Sequence, residues 1–338
     1  MGELFLMKIT SNRYFKLLTI IVVIAPYSIA VADSSTSNSA LSLINQMEYA
    51  STHLNYKGVF VYLRNDQLKA IHVVHKVDKY GEYERLTSLN GPPREIIRDK
   101  ESITHIFPNR KENIEGDFHS GNNFLRNFSK KLKDISKYYQ FSIGKKNRVA
   151  GRETQEIIVI PSDPYRYGYH LWVDPNTGLL LKSIMIGEDN RPLEQVMFIS
   201  LSLPTQISQQ ELLPTIVGKR VSQKREDKSI KSDLESQEES HWKIDWLPLG
   251  FTLVAYGKHL LPNSQIPVEH LAYSDGLGSV SVFIESAIDN HQSHLHGFST
   301  LGAINAYGTT LSKHYLTVVG DIPHAAVEKI GKSIRYIN

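Results

Sequence analysis

The sequence predicts an α+β chain that is mainly β: a large, strongly curved antiparallel sheet covering helices, followed by a small α+β unit. Three observations carry this reading. Short runs rich in Val, Ile, Tyr and Phe follow one another, separated by hairpin-length turns. One stretch with helical spacing of apolar residues precedes them. A polar segment of mixed charge, residues 208–240, interrupts the strand pattern before it resumes. The chain has 338 residues, 41% of them hydrophobic and none of them cysteine, so burial of apolar surface has to hold it without disulfides. That length favours two domains over one.

Taken in order, the first element is a secretory signal over residues 1–32. Lys8, Arg13 and Lys16 lead into an apolar core from Leu17 to Ala25, Pro26 closes it, and Ala30-Val31-Ala32 forms the exit. The apolar core is too short for the roughly 20 residues a membrane-spanning helix needs, and no cysteine at the cut invites lipidation. Met7 is an alternative start, because the residues before it add nothing to the signal. Removing the segment lowers the formal charge from +3 to +1, which argues against broad nucleic-acid binding. After a Ser/Asn/Thr arm, Ala40, Leu43, Ile44, Met47, Ala50 and Leu54 mark an amphipathic helix. Strands follow at 59–63, 70–77, 83–88, 102–107, 157–160, 167–173, 179–186 and 196–203. Asn65-Asp66, Tyr80-Gly81, Asn90-Gly91-Pro92-Pro93 and Asp174-Pro175-Asn176-Thr177-Gly178 supply turns. A second helix is expected over 122–132. Residues 208–240 read as an exposed linker of solvated charge. Beyond it, strands at 251–257, 268–274, 280–286, 303–309 and 315–319 precede a helix that starts with Pro323 at its first position. The expected division is a cleaved segment at 1–32, a large domain at 40–207, a linker at 208–240 and a small domain at 241–338.

A sheet this long twists and has to cover its inner face. Wrapped around few helices, it leaves either a packed core or an apolar hollow suited to a lipid or acyl chain. Tyr56, Phe60, Tyr62, Tyr165, Tyr167, Tyr169 and Trp172 are the candidate groove residues, and period two places the tyrosines at 165, 167 and 169 on one strand face. The same stripe also reads as core or as a cross-strand ladder. Catalytic motifs are missing: the sequence holds no G-x-S-x-G, H-E-x-x-H, P-loop or post-strand G-x-G-x-x-G, and no catalytic residue, metal site or cofactor is assigned. His291, His294 and His296 have spacing that metal ligands use, but they fall in a Gln/Ser/Asn-rich loop and read as solvated. His72 and His75 read as strand residues that face solvent or satisfy a backbone group. In the small unit, short strands leave edges open for strand addition by another chain.

Specific phrases then carry a resemblance. Tyr56-Lys57-Gly58-Val59-Phe60-Val61-Tyr62 comes first, then Glu84-Arg85-Leu86 and Leu89-Asn90-Gly91-Pro92-Pro93-Arg94-Glu95-Ile96. Asp163-Pro164-Tyr165-Arg166-Tyr167-Gly168-Tyr169 leads to Leu171-Trp172-Val173-Asp174, with Leu193-Glu194-Gln195 beyond. Trp246-Leu247-Pro248-Leu249-Gly250-Phe251, Tyr273-Ser274-Asp275-Gly276-Leu277 and Val318-Val319-Gly320-Asp321-Ile322-Pro323 complete the set. In this order they make residues 40–335 resemble the RseB/MucB family of periplasmic sigma-E regulatory proteins. The resemblance implies a large domain shaped as an unclosed β-barrel, similar to the lipoprotein carriers LolA and LolB. It implies a regulator rather than an enzyme, one that binds the periplasmic part of a membrane-spanning anti-sigma factor and shields it from proteolysis. Lipopolysaccharide or a mislocalised lipoprotein is the expected releasing ligand. Trp246, Phe251, Tyr273 and Phe283 are the partner-binding candidates, and homo-oligomerisation is left open. Gly278-Ser279 departs from the family's more apolar pair, and 219–239 is unusually charged. A lipid carrier without such a partner is the alternative reading.

Overall fold

A computed structural model describes residues 34–108, 134–224, 240–260, 267–287 and 295–337. The expected signal segment, the expected helix at 122–132, His291 and His294 lie outside them. A helix, α1 (Ser34–His53), opens the described chain. It is followed by β1 (Tyr56–Arg64), β2 (Gln67–Asp78), β3 (Gly81–Ser88), β4 (Glu95–Arg98) and β5 (Ser102–Phe107). After these come β6 (Tyr139–Val149), β7 (Arg152–Pro161), β8 (Gly168–Val173), β9 (Leu180–Ile186), β10 (Pro192–Ser202) and β11 (Lys219–Lys224). All eleven strands form one sheet in the order β11-β5-β4-β3-β2-β1-β10-β9-β8-β7-β6. Two meanders therefore meet at the β1–β10 pair, and among the described residues β11 and β6 are the edge strands, so the sheet is curled but not closed.

Local sequence explains the path. Asn65 and Asp66 adopt φ values of 50° and 60°, the left-handed pair that a two-residue hairpin matching strand twist requires. Register breaks in the β1–β10, β10–β9, β6–β7 and β8–β9 pairs place extra residues on β10, β6 and β9, and these bulges bend the strands and supply curvature. Gly178, at φ +76°, lets the β8–β9 turn press against the backbone of Gln46 in α1, where a Cβ would clash.

On the helix-bearing face, Ala40, Ile44 and Met47 of α1 pack on Phe141, Ile157, Val159, Leu171, Val173 and Met185. Strand pairing continues this face into a second cluster, with Phe60, Val73, Leu86, Ile96, Val196 and Phe198. On the opposite face of β1–β3, residues 203–216 lie back across the strands as a strap, with Ile207 and Leu212 packed on Val74. Glu95 anchors the strap: its buried carboxylate accepts from Thr215 N at 2.8 Å, Thr215 Oγ1 at 2.6 Å and Ile216 N at 2.9 Å. The chain then adds β11 to β5. Within 208–240, expected to be an exposed linker, residues 219–224 are thus a strand of the large sheet and residues 208–216 belong to the strap, because a run that is polar in sequence can still satisfy its backbone along a sheet edge.

The small unit pairs β12 (Trp242–Ile244) with β19 (Ile334–Tyr336). Its main sheet contains β13 (Thr252–Leu260), β14 (Pro267–Ser274), β15 (Ser279–Ser286), β16 (Gly297–Leu301), β17 (Ile304–Leu311) and β18 (His314–Gly320), in the order β13-β14-β15-β18-β17-β16. The closing helix, α2 (His324–Lys332), buries Ala326, Val327 and Ile330 against Leu271, Val282, Leu316 and Val318. Each fully buried Val or Ile side chain contributes roughly 1.5–3 kcal/mol by leaving water. Pro323 is the N-cap of α2 rather than its first helical residue, at φ −53°, a value its ring imposes.

Candidate functional site at the junction of the two sheets

The turn between β7 and β8 projects the phrase Asp163 to Tyr169 at the small unit. Asp163 organises this turn, accepting from Tyr165 N at 3.0 Å and from Arg166 Nε at 2.9 Å. Arg166 then extends into the small unit with its side chain 1% exposed. Its Nη1 donates to Asp275 Oδ2 at 2.6 Å and its Nη2 to Leu249 O at 2.5 Å. The guanidinium lies 4.8 Å from the Tyr138 ring and 5.7 Å from the Tyr139 and Phe251 rings, so cation–π contacts supplement its ion pairs. Asp275 occupies the β14–β15 turn and also accepts from Leu277 N and Gly278 N, each at 2.9 Å. One carboxylate therefore both shapes a hairpin and receives the arginine.

Three further contacts surround this ion pair. Tyr167 accepts from Asn305 Nδ2 at 2.8 Å and donates to Ile322 O at 3.4 Å, and Asn305 Nδ2 also donates to Ile322 O at 2.8 Å. Tyr165 meets Trp246 edge-on at 4.7 Å, and Lys329 of α2 sits over both rings while donating to the Tyr165 hydroxyl at 2.9 Å. The third contact is the tip between β16 and β17. Ala303 is 0% exposed and belongs to the cluster formed by α1 and β6–β9, so the small unit inserts its tip into the concave side of the large sheet. Gly302, at φ +62°, abuts the Asn65 side chain of the β1–β2 hairpin, where a Cβ would collide. Burial pushes the Tyr139 and Tyr169 hydroxyls well above the ordinary phenol range, and Tyr167 rises to about 12 through burial, eased by its bond from Asn305. All three remain protonated hydrogen-bonding groups at neutral pH.

The candidate groove residues divide among three places. Tyr56, Phe60, Tyr62 and Trp172 belong to the β1–β10 cluster and Tyr167 and Tyr169 to the α1 cluster, all of them 7% exposed or less. A ligand touching these six has to displace neighbouring side chains. Tyr165 departs from the expected stripe, because β8 begins at Gly168 and Tyr165 sits in the preceding turn against the small unit. Among the partner-binding candidates, Trp246 and Phe251 are at the junction, Tyr273 is in the small core with its hydroxyl raised to about 12 by burial, and Phe283 stacks on His270 at 4.4 Å. By strand alternation Phe283 points away from Val282 and Ile284.

Sequence reasoning did not nominate Arg166, Asp275, Asn305 or Lys329. A charged residue inside an aromatic phrase was the available signal, but Arg166 and Asp275 lie 109 residues apart. The Gly278-Ser279 departure has a local reason. A Cβ at Gly278 would press on Ile322, and Ser279 donates from N at 2.6 Å and from Oγ at 2.8 Å to Asp321. His75 is buried, its Nδ1 2.9 Å from Leu54 O and its Nε2 3.2 Å from Glu82, and His296 meets the Tyr315 ring edge-on at 6.0 Å. Among the described residues, no group of three or more His, Asp or Glu side chains is arranged to hold a metal.

Residues 39–216 match the MucB/RseB N-terminal domain, and residues 236–335 match the MucB/RseB C-terminal domain. The chain is 28% identical over 332 residues to the sigma factor AlgU regulatory protein MucB of Pseudomonas aeruginosa, covering 91% of this chain and 94% of that one. It is 25% identical over 313 residues to the sigma-E factor regulatory protein RseB of Escherichia coli K12, covering 90% and 93%. Its structure is similar to MucB in complex with MucA(peri), with a TM-score of 0.70 at 27% identity over 88% of this chain and 99% of that one. It is also similar to a crystal structure of MucB, with a TM-score of 0.60 at 25% identity over 89% and 98%. Both matched domains occur in order, one contributing Arg166 and the other Asp275 to the junction, and the chain belongs to the MucB/RseB family of sigma-factor regulatory proteins.

Proposed function

We propose that the chain is a periplasmic negative regulator of the envelope stress response rather than an enzyme. In this reading its small unit, residues 241–338, helps hold the periplasmic part of a membrane-spanning anti-sigma factor and so shields that segment from regulated proteolysis. Lipopolysaccharide, or the acyl chains of a mislocalised lipoprotein, enters the large unit, residues 40–207, and loosens the hold. Family membership and the structural likeness to MucB in complex with MucA(peri) support the partner half.

The buried tip at Ala303 is the observation that carries the sensor half. An acyl chain that takes the place of this tip among Ile44, Tyr167 and Leu171 would drive the small unit outward. Lipid and partner then favour different arrangements, and linkage requires each to weaken the other by the same factor. Retention of the purified anti-sigma periplasmic segment on immobilised protein, measured with and without lipopolysaccharide, tests both halves. Retention that falls as lipid is added is the expected outcome. Failure to retain the segment without lipid removes the partner half, and retention indifferent to lipid removes the sensor half. Lipid uptake without peptide retention would favour a carrier.

A further inference from the structure

On the face of the sheet away from α1, two rows of side chains cross four strands. The first row is Arg85, Val74, Lys57 and Ser202; the second is Thr87, His72, Val59 and Ser200. With Gly58, Leu201 and Glu211, six of these residues line a pocket of about 400 Å³, a size that takes a small ligand. Its polar lining is unbalanced, since Lys57 and Arg85 are both cationic and the strap's Glu211 is the single lining carboxylate. That carboxylate lies 2.6 Å from Lys57 Nζ, which holds its pKa low. Arg85 gives Nη1 to Leu213 O at 2.8 Å and lies 3.9 Å from Glu95, while its buried Nε has no hydrogen-bond partner. Ser200 Oγ accepts from Val59 N at 3.2 Å, so its own proton is directed to a further acceptor, and Ser202 Oγ donates to Lys57 O at 3.3 Å. Burial, then the positive charge of Arg85 and Lys57, lowers the His72 pKa and keeps that ring neutral with one N–H to donate.

We propose that this pocket is a phosphate site, filled by exchange with the Glu211 carboxylate. A phosphate ester offers acceptors on several sides, matching the ammonium, guanidinium, imidazole and hydroxyl donors that line the pocket. The strap carboxylate takes one bond from Lys57 and its others from Ser208 on the strap itself, leaving most of the pocket's donors unused. Val74 supplies an apolar floor for the ester's carbon. Uptake displaces the Lys57 to Glu211 latch and frees the strap, coupling an anion on this face to the segment that runs on toward the small unit. The inference stands apart from the partner and lipid readings.

Isothermal titration of the purified chain with inorganic phosphate and with glycerol 3-phosphate tests it. The variants are Lys57→Gln, Arg85→Gln, Ser200→Ala and Glu211→Gln, each checked for an unchanged far-ultraviolet spectrum. Loss of a charge-assisted donor at Lys57 or Arg85 is expected to weaken binding about tenfold or more. Ser200→Ala, which leaves the strap contact alone, weakens it about threefold, and Glu211→Gln, which removes the competitor, tightens it several-fold. Amide exchange over the strap rises as phosphate saturates. Flotation on phosphatidic acid vesicles against phosphatidylcholine vesicles separates the sources: capture on the first with weak glycerol 3-phosphate binding identifies a lipid headgroup, and the reverse identifies a soluble ester. Uptake that none of the variants alters is surface adsorption and overturns the proposal. So does a Glu211→Gln variant that melts earlier without gaining affinity, since Glu211 would then be only a latch.

Discussion

With its side chain 1% exposed and the carboxylates of Asp163 and Asp275 and the carbonyl of Leu249 around it, Arg166 couples the β7–β8 turn to the small unit. Arg166→Ala leaves Asp275 buried without its cation, a change that costs about 3–5 kcal/mol in comparable sites. The expected outcome is a lower melting temperature together with a larger radius of gyration by solution scattering. The paired variant Arg166→Met with Asp275→Leu removes both charges and recovers most of that loss, because desolvating an ion pair offsets much of its attraction. If the paired variant is as unstable as Arg166→Ala, the coupling runs through the aromatic rings instead. At this scale the sequence was half legible. Asp275-Gly276 reads at once as a hairpin turn, and the turn is there, with Gly276 at φ +106°. That the second oxygen of the same aspartate receives an arginine from the other sheet could not be read from local chemistry.

Among the elements, the β16–β17 tip and the strap bind the molecule together. Gly302→Val places a branched Cβ against Asn65 in a backbone conformation that L residues rarely adopt, so it is expected to lift Ala303 from its cluster. Proteolytic cleavage near the tip should accelerate while the melting of the small sheet changes little, and unchanged cleavage would show that the tip does not need its close approach to Asn65. Elements missed in the sequence share a physical cause. β6, β11 and β16 are edge strands, and β12 and β19 form a two-stranded pair of three residues each. An edge strand buries less side-chain surface, so β6 tolerates Lys145, Lys146 and Asn147 and β11 runs Lys-Arg-Val-Ser-Gln-Lys, with no alternation to detect. β4 spans four residues behind Pro92-Pro93, too few for a period to register. The longer central strands, buried on one whole face, announced themselves. Burial alone did not separate groove from core: the aromatic stripe fits both descriptions, and packing decides which side chains touch.

For the whole molecule, acid sensitivity follows from its buried carboxylates. Burial would raise the pKa of Glu95, but bonds from Thr215, Ile216 and Thr87 outweigh it and hold the group below its usual value. Asp174 is lowered in the same way, by Arg152 and its own turn against the cost of burial. Groups of this kind contribute stability above the unfolded carboxylate pKa of about 4 and lose it as pH falls through the lower folded value. Asp321 and Glu194, raised by burial, act oppositely and lose their contribution as pH climbs through the higher folded value. Glu95→Gln should therefore lower stability by about 1.5–3 kcal/mol at neutral pH and flatten the acid limb of a melting-temperature profile below about pH 4. An acid limb equally steep in the variant would assign it to other carboxylates.

The sheet's two edges lead to a different kind of consequence. β11 leaves at one extreme of the strand order, and β6, beside the β7–β8 turn that carries Arg166, lies at the other. The small unit is consequently attached twice, by covalent chain beyond β11 and by the Arg166 and Ala303 contacts near β6. Residues 225–241 reach at most about 3.5 Å apiece, which confines an undocked unit to the neighbourhood of its berth. Redocking is then a first-order process, indifferent to how dilute the protein is, and the assembly resets itself once a displacing molecule departs.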